Sequence, residues 1–580
     1  VRTDIEYIGQ YRSSSRARQV LRSLGTSTSV VVDWTMYNWF KAAGFELEPE
    51  RDNKSVWTPE WVRTGLSRFG SNIPTALGDW EYGQFEPSRY TDAELGRIGK
   101  SDQPLGSTAS NRARNNSKRD NLPTTKTSSV GRGAIGHESK RSGRPSRSSQ
   151  DQSHRQGSSL SSRVFRRSDW TPLRVEPESY EHAKAATISC AANRTGGRQP
   201  YSLRKVVDEV VHASHFAGAP FFCKNDDVID IALERAESVE HGTRAFDPYV
   251  AGRRVQHGPN GPKGRLVWMA PLATTLVASR YSKAVYEGLR YNGVFAYSTR
   301  KLEIGGFISE LQSRFKYTYS LDFSAFDACL PAFIIDDAFG ILKTWLELNN
   351  EDTRILDRVI HDFIHSRIIL PDGSMWQVHR GVPSGNPFTS LVDSVANLLV
   401  INYCMIRTTG VALKCDRVMI LGDDSVFGTD RYVPLPELAS AASELGMTLS
   451  VEKSKIATLQ DRVEFLGHQW SHGRPYRPLW DIVQRMVFPE RHLKRTRSDS
   501  LIRFYSYSAD AEDWVTLLYM VRKNWGSYLD MVRAILQEAD VGEITFESGP
   551  GNLRFLESVE PDLLPQDVRR GPALAVYGTM

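Results

Sequence analysis

Two short segments of this 580-residue chain concentrate carboxylates where they could do chemistry. In Ser320-Leu321-Asp322-Phe323-Ser324-Ala325-Phe326-Asp327, a strand-like run leads into an Asp, and a second Asp follows five positions on. In Leu421-Gly422-Asp423-Asp424-Ser425, two adjacent acids sit at a turn between apolar strands. An Asp at a strand end is unremarkable, and Gly and Asp are ordinary turn residues. Adjacent like charges nevertheless repel, and a hairpin tip gains little by gathering them. A hard divalent cation such as Mg²⁺ removes that cost, because it takes carboxylate oxygens as ligands. On these segments alone, metal-assisted chemistry and a plain acidic turn both stay open.

Between them lies Arg380-Gly381-Val382-Pro383-Ser384-Gly385-Asn386-Pro387-Phe388-Thr389, a loop able to bring backbone close to a ligand, followed by an apolar helix from Ser390 through Asn402. Thr389, Asp393 and Asn397 recur at i, i+4 and i+8, drifting only about 80° around a helix, so they line one face. A buried polar stripe is costly without partners. A solvated face is the plainer reading, but Leu391, Leu398, Leu399 and Val400 leave little room for one.

The elements that must position these residues can be sketched. Strands are expected at Tyr317–Phe323 and Arg417–Leu421, the latter turning at Gly-Asp-Asp into Ser425–Gly428. Pro436 to Leu445 reads as a helix opened by proline and closed by Gly446, and Met447–Val451 as another strand. Near the C-terminus, Trp514, Leu517, Leu518 and Val521 recur at helical spacing.

The length predicts several lobes, and 40% apolar residues suffice for a substantial core. No run approaches the roughly eighteen uninterrupted apolar residues that cross a bilayer, so no membrane partner is expected. The N-terminus lacks a signal-peptide core and an initiating Met; a fragment, a processed product and a fused reading frame all stay open. Cys190, Cys223, Cys329, Cys404 and Cys415 show no CxxC spacing, which suits a reducing compartment without a disulfide framework. His361 and His365 have the spacing of helical zinc ligands, but no neighbouring Cys, Asp or Glu completes a set.

The net charge of +5 is unevenly spread: residues 101–167 carry fourteen Lys/Arg against four Asp/Glu, leaving the remainder slightly acidic. From about 98 to 168 the chain is Ser, Arg, Gly, Asn and Gln, with too few large apolar residues to offset the entropy of ordering. It reads as disordered, either a basic RNA-binding tether or a solvated insertion.

The order Asp322-x4-Asp327, Ser384-Gly385-x3-Thr389 ending in Asn397, then Gly422-Asp423-Asp424 resembles motifs A, B and C of viral RNA-dependent RNA polymerases. Gly381-Val382-Pro383-Ser384-Gly385 with Asp393-Ser394, Phe465-Leu466-Gly467-His468-Gln469-Trp470, Gly473-Arg474-Pro475 and Phe488-Pro489-Glu490-Arg491 are similar to the partitivirus and picobirnavirus branch of double-stranded RNA viruses, on the partitivirus-like side. The resemblance extends over about residues 170–500.

It implies an α+β right-hand polymerase fold with an antiparallel palm sheet and helical fingers and thumb. The expected divisions are an N-terminal region at 1–97 bridging fingers and thumb, the basic segment 98–168, fingers at 169–316, palm at 317–464 with a fingers insertion at about 330–380, and thumb with C-terminal region at 465–580. It implies Asp322 and Asp423 as metal ligands with Asp424 assisting, for Mg²⁺ or Mn²⁺. Asp327 and Asn397, supported by Thr389 or Ser384, with Gly385 in the same loop, would sense the ribose 2′-hydroxyl, the group that separates RNA from DNA substrates. Lys263 and Arg265 of Lys263-Gly264-Arg265-Leu266-Val267-Trp268 resemble the phosphate-holding motif F, and Ser214 through Pro220 motif G at the template entrance. Lys453, in preference to Lys455, resembles the general acid of motif D, and Phe465-Leu466-Gly467 motif E.

The implied activity is nucleotidyl transfer from NTPs to an RNA 3′-hydroxyl on an RNA template by a two-metal mechanism, for genome replication and transcription of a double-stranded RNA virus, with a viral capsid protein as a partner, in the virion interior or host cytoplasm. Two rivals stand beside it. A reverse transcriptase shares the palm, but Gly422 before the acids and the Asp327/Asn397 pair disfavour it. A catalytically silent RNA-binding or capsid-associated protein would act through residues 98–168, and the intact acids count against it.

Overall fold

The computed structural model describes residues 5–26, 32–42, 44–47, 174–211, 215–258, 261–489, 507 and 510–511. The chain divides into two units, Val1–Arg89 with Trp170–Met580, and Tyr90–Asp169; every described residue belongs to the first. The basic segment and the expected helix around Trp514 lie outside the described residues.

The chain opens with β1 (Ile5–Gln10), α1 (Ser15–Thr26) and α2 (Trp34–Ala42). Next come α3 (Pro177–Ala191), α4 (Leu203–Val210), α5 (Ile229–Glu240), β2 (Tyr249–Gly258), β3 (Gly261–Met269), α6 (Leu272–Leu289) and α7 (Lys301–Arg314). The central region holds β4 (Tyr317–Leu321), α8 (Phe326–Cys329), α9 (Ala332–Lys343), α10 (Asn350–Ile364), β5 (Arg367–Ile369), β6 (Ser374–Val378), α11 (Thr389–Thr409), β7 (Val418–Leu421) and β8 (Asp424–Thr429). It continues through α12 (Leu435–Glu444), β9 (Lys455–Ala457), β10 (Val463–Phe465), β11 (His468–Ser471), β12 (Arg474–Tyr476) and α13 (Leu479–Val487).

The sheet that carries the acids is antiparallel, in the order β7-β8-β4-β9. Its register sets Leu321 opposite Ser425 and Leu421 opposite Asp424, so the end of β4 and the β7–β8 tip share one edge of the sheet. Tyr319 and Phe427 stack across the strands with centroids 5.1 Å apart, a cross-strand aromatic pair that helps fix this register. Ile304, Ile308 and Leu311 of α7 form one core with Met419, Val426, Phe465 and Trp470. Helix α11 packs against α3, α9, α12 and β7. It has the length and hydropathy of a membrane span, but nearly all of it is buried inside the protein as a core helix.

A second sheet, β1-β6-β5-β2-β3, encloses Tyr249, Trp268, Ile368 and Trp376. The N-terminal strand closes its edge by pairing with β6, while Phe45, just after α2, stacks on Trp480 of α13.

Two expectations change. Met447–Val451 is not a strand: Leu449 makes one bridge to Phe323, the chain turns at Val451–Lys453, and the strand pairing with β4 is β9. The segment crosses the end of β4, where Ser450 N–H donates to the Asp322 carbonyl at 2.8 Å and Ser324 N–H to the Thr448 carbonyl at 2.8 Å. Cys190 and Cys415 form a disulfide despite a separation of 225 residues, a proximity that no local spacing could report. Helix α11 carries Ser390, Asp393, Ser394 and Asn397, so it too holds no long uninterrupted apolar run. At the end of α10, His365 Nδ1 lies 2.8 Å from His379 Nδ1, and no group of three or more His, Cys, Asp or Glu suited to a metal occurs among the described residues.

Candidate active site

The end of β4 is pinned from below. Asp322 N–H donates to Ser454 Oγ at 3.1 Å, and with the Ser450 bond this fixes the backbone while the carboxylate stays exposed. Ala325 then turns the chain at φ 51° into α8, which presents Asp327. The Asp327 carbonyl accepts from Val382 N–H at 2.6 Å, tying the loop before α11 to this turn. Burial, reinforced by the Asp423 charge and opposed by Arg265, raises the Asp327 carboxyl to about 6.

The hairpin tip is a two-residue loop whose first residue, Gly422, has φ 63°, a left-handed value that Gly adopts without strain. Asp423 and Asp424 come next, open to solvent on one side while the packed protein behind them withholds hydration. That loss of hydration raises both carboxyls, with Asp322 adding repulsion at Asp423. At Asp424 the charges of Asp423 and Asp322 add to burial and push the carboxyl up to about 7. Asp322 therefore sits close enough to Asp423 and Asp424 to oppose their ionisation, which is the condition a cation relieves.

The loop before α11 lies on β3. Ser384 Oγ accepts from Trp268 N–H at 3.1 Å, and a Cβ added to Gly385 would stand 2.0 Å from the Trp268 carbonyl oxygen. This brings β3 alongside the acids, and the Arg265 guanidinium partly offsets the rise that burial imposes on the Asp327 and Asp423 carboxyls. Lys263 lies two residues earlier on the same strand, its side chain outside the described residues. Thr389 donates from Oγ1 to the Pro383 carbonyl at 2.6 Å.

The polar face of α11 is buried and turned to the site. Asp393 is 4% exposed, and burial followed by the Asp327 and Asp423 charges pushes its carboxyl well above the usual range. Asn397 is fully buried, and its Nδ2 donates to the Gly422 carbonyl at 3.1 Å. Gly422 N–H donates to Ser394 Oγ at 2.8 Å. The Tyr297 hydroxyl stands 2.7 Å from Ser394 Oγ and donates to the Ser390 carbonyl at 2.6 Å. Asn397, the residue expected to face the ribose, holds the Gly422 backbone through its Nδ2, and its Oδ1 has no hydrogen-bond partner among the described residues. Ser394 and Tyr297 were given no role. Ser394 adjoins the polar stripe and was within reach of a pattern argument, whereas Tyr297 sits in a loop whose partners only the tertiary fold reveals.

At the rim, Lys453 Nζ is 3.7 Å from Asp322 Oδ1, while Lys455 lies in β9 and its Nζ donates to the Glu452 carbonyl at 3.4 Å. Leu466 and Gly467 form the β10–β11 turn with φ 52° and 65°. Of the motif G segment, Ala217 through Pro220 form a buried turn, with Gly218 against Ala270 and Pro271.

Residues 260–491 match the family model described as viral RNA-dependent RNA polymerase. The RNA-directed RNA polymerase of Cryptosporidium parvum virus 1 (strain KSU-1) is 28% identical over 243 residues, covering 38% of this chain and 46% of that protein. That of Atkinsonella hypoxylon virus (isolate 2H) is 29% identical over 162 residues, covering 26% of this chain and 24% of that protein. The chain thus spans about half the length, or less, of these curated relatives. The crystal structure of the RNA-dependent RNA polymerase of a human picobirnavirus superposes with a TM-score of 0.52 at 17% identity, over 64% of this chain and 75% of that one, a likeness of fold. Residues 260–491 thus carry a likeness to the viral RNA-dependent RNA polymerases, and the chain shares the α+β fold of such polymerases.

Proposed function

We propose that this chain is the RNA-dependent RNA polymerase of a double-stranded RNA virus, adding nucleotides from NTPs to an RNA 3′-hydroxyl on an RNA template and releasing pyrophosphate. The observation that carries this reading is the convergence of Asp322, Asp423 and Asp424 at one edge of the sheet, with Arg265 bearing on them and Lys453 at the rim.

The donor set fits a hard divalent cation. All three side chains offer carboxylate oxygens, and burial, reinforced by the Asp423 and Asp322 charges, raises Asp424 to about 7. Among the described residues they do not make a group of three arranged to hold an ion unaided, and Mg²⁺ is commonly held by one or two carboxylates with water and substrate phosphates completing its shell. Asp322 and Asp423 would hold it, with Asp424 assisting; when bound it would activate the 3′-oxygen and stabilise charge on the departing phosphate.

The chain's own residues do the rest. Arg265 can grip triphosphate oxygens in a fork, with Lys263 on the same strand adding a point charge. Lys453 stands where it can give a proton to the leaving pyrophosphate. Asp327 and Asn397, with Thr389 or Ser384 in support, would bond the sugar hydroxyl; the Trp268 bond uses an acceptor site of Ser384 Oγ and leaves its proton free to donate. A site built to bond a hydroxyl strongly disfavours an analogue lacking one. Thr389 supports the loop through Pro383. Location inside a virion and contact with a capsid protein belong to this same proposal.

Incorporation of rNTPs and dNTPs on a homopolymer RNA, with Mg²⁺ or Mn²⁺, tests the reading. RNA synthesis that strongly prefers rNTPs, and that Asp423→Ala abolishes while RNA binding persists, supports it. Preference for dNTPs would identify a reverse transcriptase, and synthesis undiminished in Asp423→Ala would remove the acids from the mechanism.

A further inference from the structure

A hairpin tip leaves backbone groups outside the ladder, and such groups need partners when buried. At Gly422 both are supplied by one helix. Ser394 Oγ accepts the N–H at 2.8 Å and Asn397 Nδ2 donates to the C=O at 3.1 Å. The two residues are three apart, on one face of α11, and both have no exposed surface. These bonds hold the peptide planes on either side of the Gly422 Cα, and so restrict φ and ψ at the one residue in this turn with left-handed freedom. Those two angles in turn set the Cα–Cβ direction of Asp423, the next residue.

The holding groups are themselves held. Ser394 donates to the Ser390 carbonyl at 2.8 Å, leaving its lone pairs for the Gly422 N–H and for the Tyr297 hydroxyl, whose one proton is shared between the Ser394 oxygen at 2.7 Å and the Ser390 carbonyl at 2.6 Å. Asn397 Oδ1 is buried without a hydrogen bond among the described residues. An apolar side chain of similar size would avoid that cost, so the use of the amide is its bond to Gly422.

We propose that Ser394 and Asn397 are positioning residues that aim the Asp423 carboxylate by fixing both peptide planes of Gly422, with Tyr297 ordering Ser394. This rests on the reading of Asp423 as a cation ligand and deepens it. Side chains that orient metal ligands typically affect metal affinity by about 10–100-fold when removed.

The test is binding of Mn²⁺ to the RNA-free full chain, followed by electron paramagnetic resonance, beside thermal melting and polymerase rates. Ser394→Ala and Asn397→Ala are expected to weaken Mn²⁺ binding about tenfold or more and to lower kcat, with the KM for NTP little changed in Ser394→Ala. Ser394→Thr, which keeps the hydroxyl, should restore both. If either alanine variant fails to fold, Tyr297→Phe, which removes only the hydroxyl, carries the test and should weaken binding in the same direction. Folded variants that bind Mn²⁺ as the parent does would overturn the proposal. Asp423→Ala separates the two readings: unchanged Mn²⁺ binding there removes the metal assignment, whereas binding lost there but kept in Ser394→Ala and Tyr297→Phe removes only the clamp.

Discussion

Lys453 Nζ stands 3.7 Å from Asp322 Oδ1 at the edge of the sheet where the carboxylates gather. The two side chains are 62% and 47% exposed, so the pair contributes almost nothing to stability. Its value is placement. Lys455 is turned instead to the Glu452 carbonyl. Lys453→Ala should therefore melt with the parent yet lose roughly 10²-fold or more in single-turnover rate, the scale of a general acid. Lys455→Ala should stay close to the parent, and a larger loss there than at Lys453 would reverse the assignment.

Gly385 is required by the approach of two elements. A Cβ there would meet the Trp268 carbonyl oxygen at 2.0 Å, a backbone atom that cannot swing aside. Gly385→Ala should cost about 1–3 kcal/mol in denaturant unfolding, as overpacking does, and should raise the KM for NTP by shifting β3 with Arg265. Gly340, on the exposed side of α9 with open space around its Cα, is the control. Gly340→Ala should be neutral or stabilising by about 0.5–1 kcal/mol. Equal behaviour of the two variants would refute the contact.

The contrast between these sites shows what the sequence could disclose. The Asp322 strand, the Gly-Asp-Asp hairpin and the long helix with its polar stripe were legible because each is written in consecutive residues and a local period. The strand expected at Met447–Val451 failed because its apolar alternation serves a crossing at the end of β4, where backbone bonds from Ser450 and to Thr448 replace a ladder. Asn397 was legible as a buried polar residue, but its partner, the Gly422 carbonyl, is a backbone atom that no side-chain pattern names. Tyr297 and the Cys190–Cys415 pairing are purely tertiary facts.

That disulfide joins the end of α3 to the turn Cys415–Arg417 that leads directly into β7. Cross-linking across so long a loop restricts the unfolded chain, typically by about 2–4 kcal/mol. Protein purified without reductant should melt higher than the same protein in excess dithiol, and Cys190→Ser should melt low and ignore the dithiol. Mass spectrometry of unreduced peptides showing free thiols at both positions would dismiss the bond. Cys223, Cys329 and Cys404 are free thiols and provide the internal comparison.

Asp393 has a different kind of consequence, because it is a carboxyl buried beside two others. Burial, then the Asp327 and Asp423 charges, raise it well above its ordinary value. The folded chain therefore keeps a proton that the unfolded chain releases above about pH 4. With the folded value raised, this group's favourable contribution is complete below the unfolded value and is lost progressively as pH climbs toward the folded one. Asp393→Asn cannot ionise and has nearly the same shape, so it escapes that loss. In chelator, to keep cations out, the melting temperature of the variant should draw level with the parent near pH 4 and rise above it as pH increases toward 8. A difference between the two proteins that stays constant over this range would show that Asp393 ionises in the folded state as it does in the unfolded one.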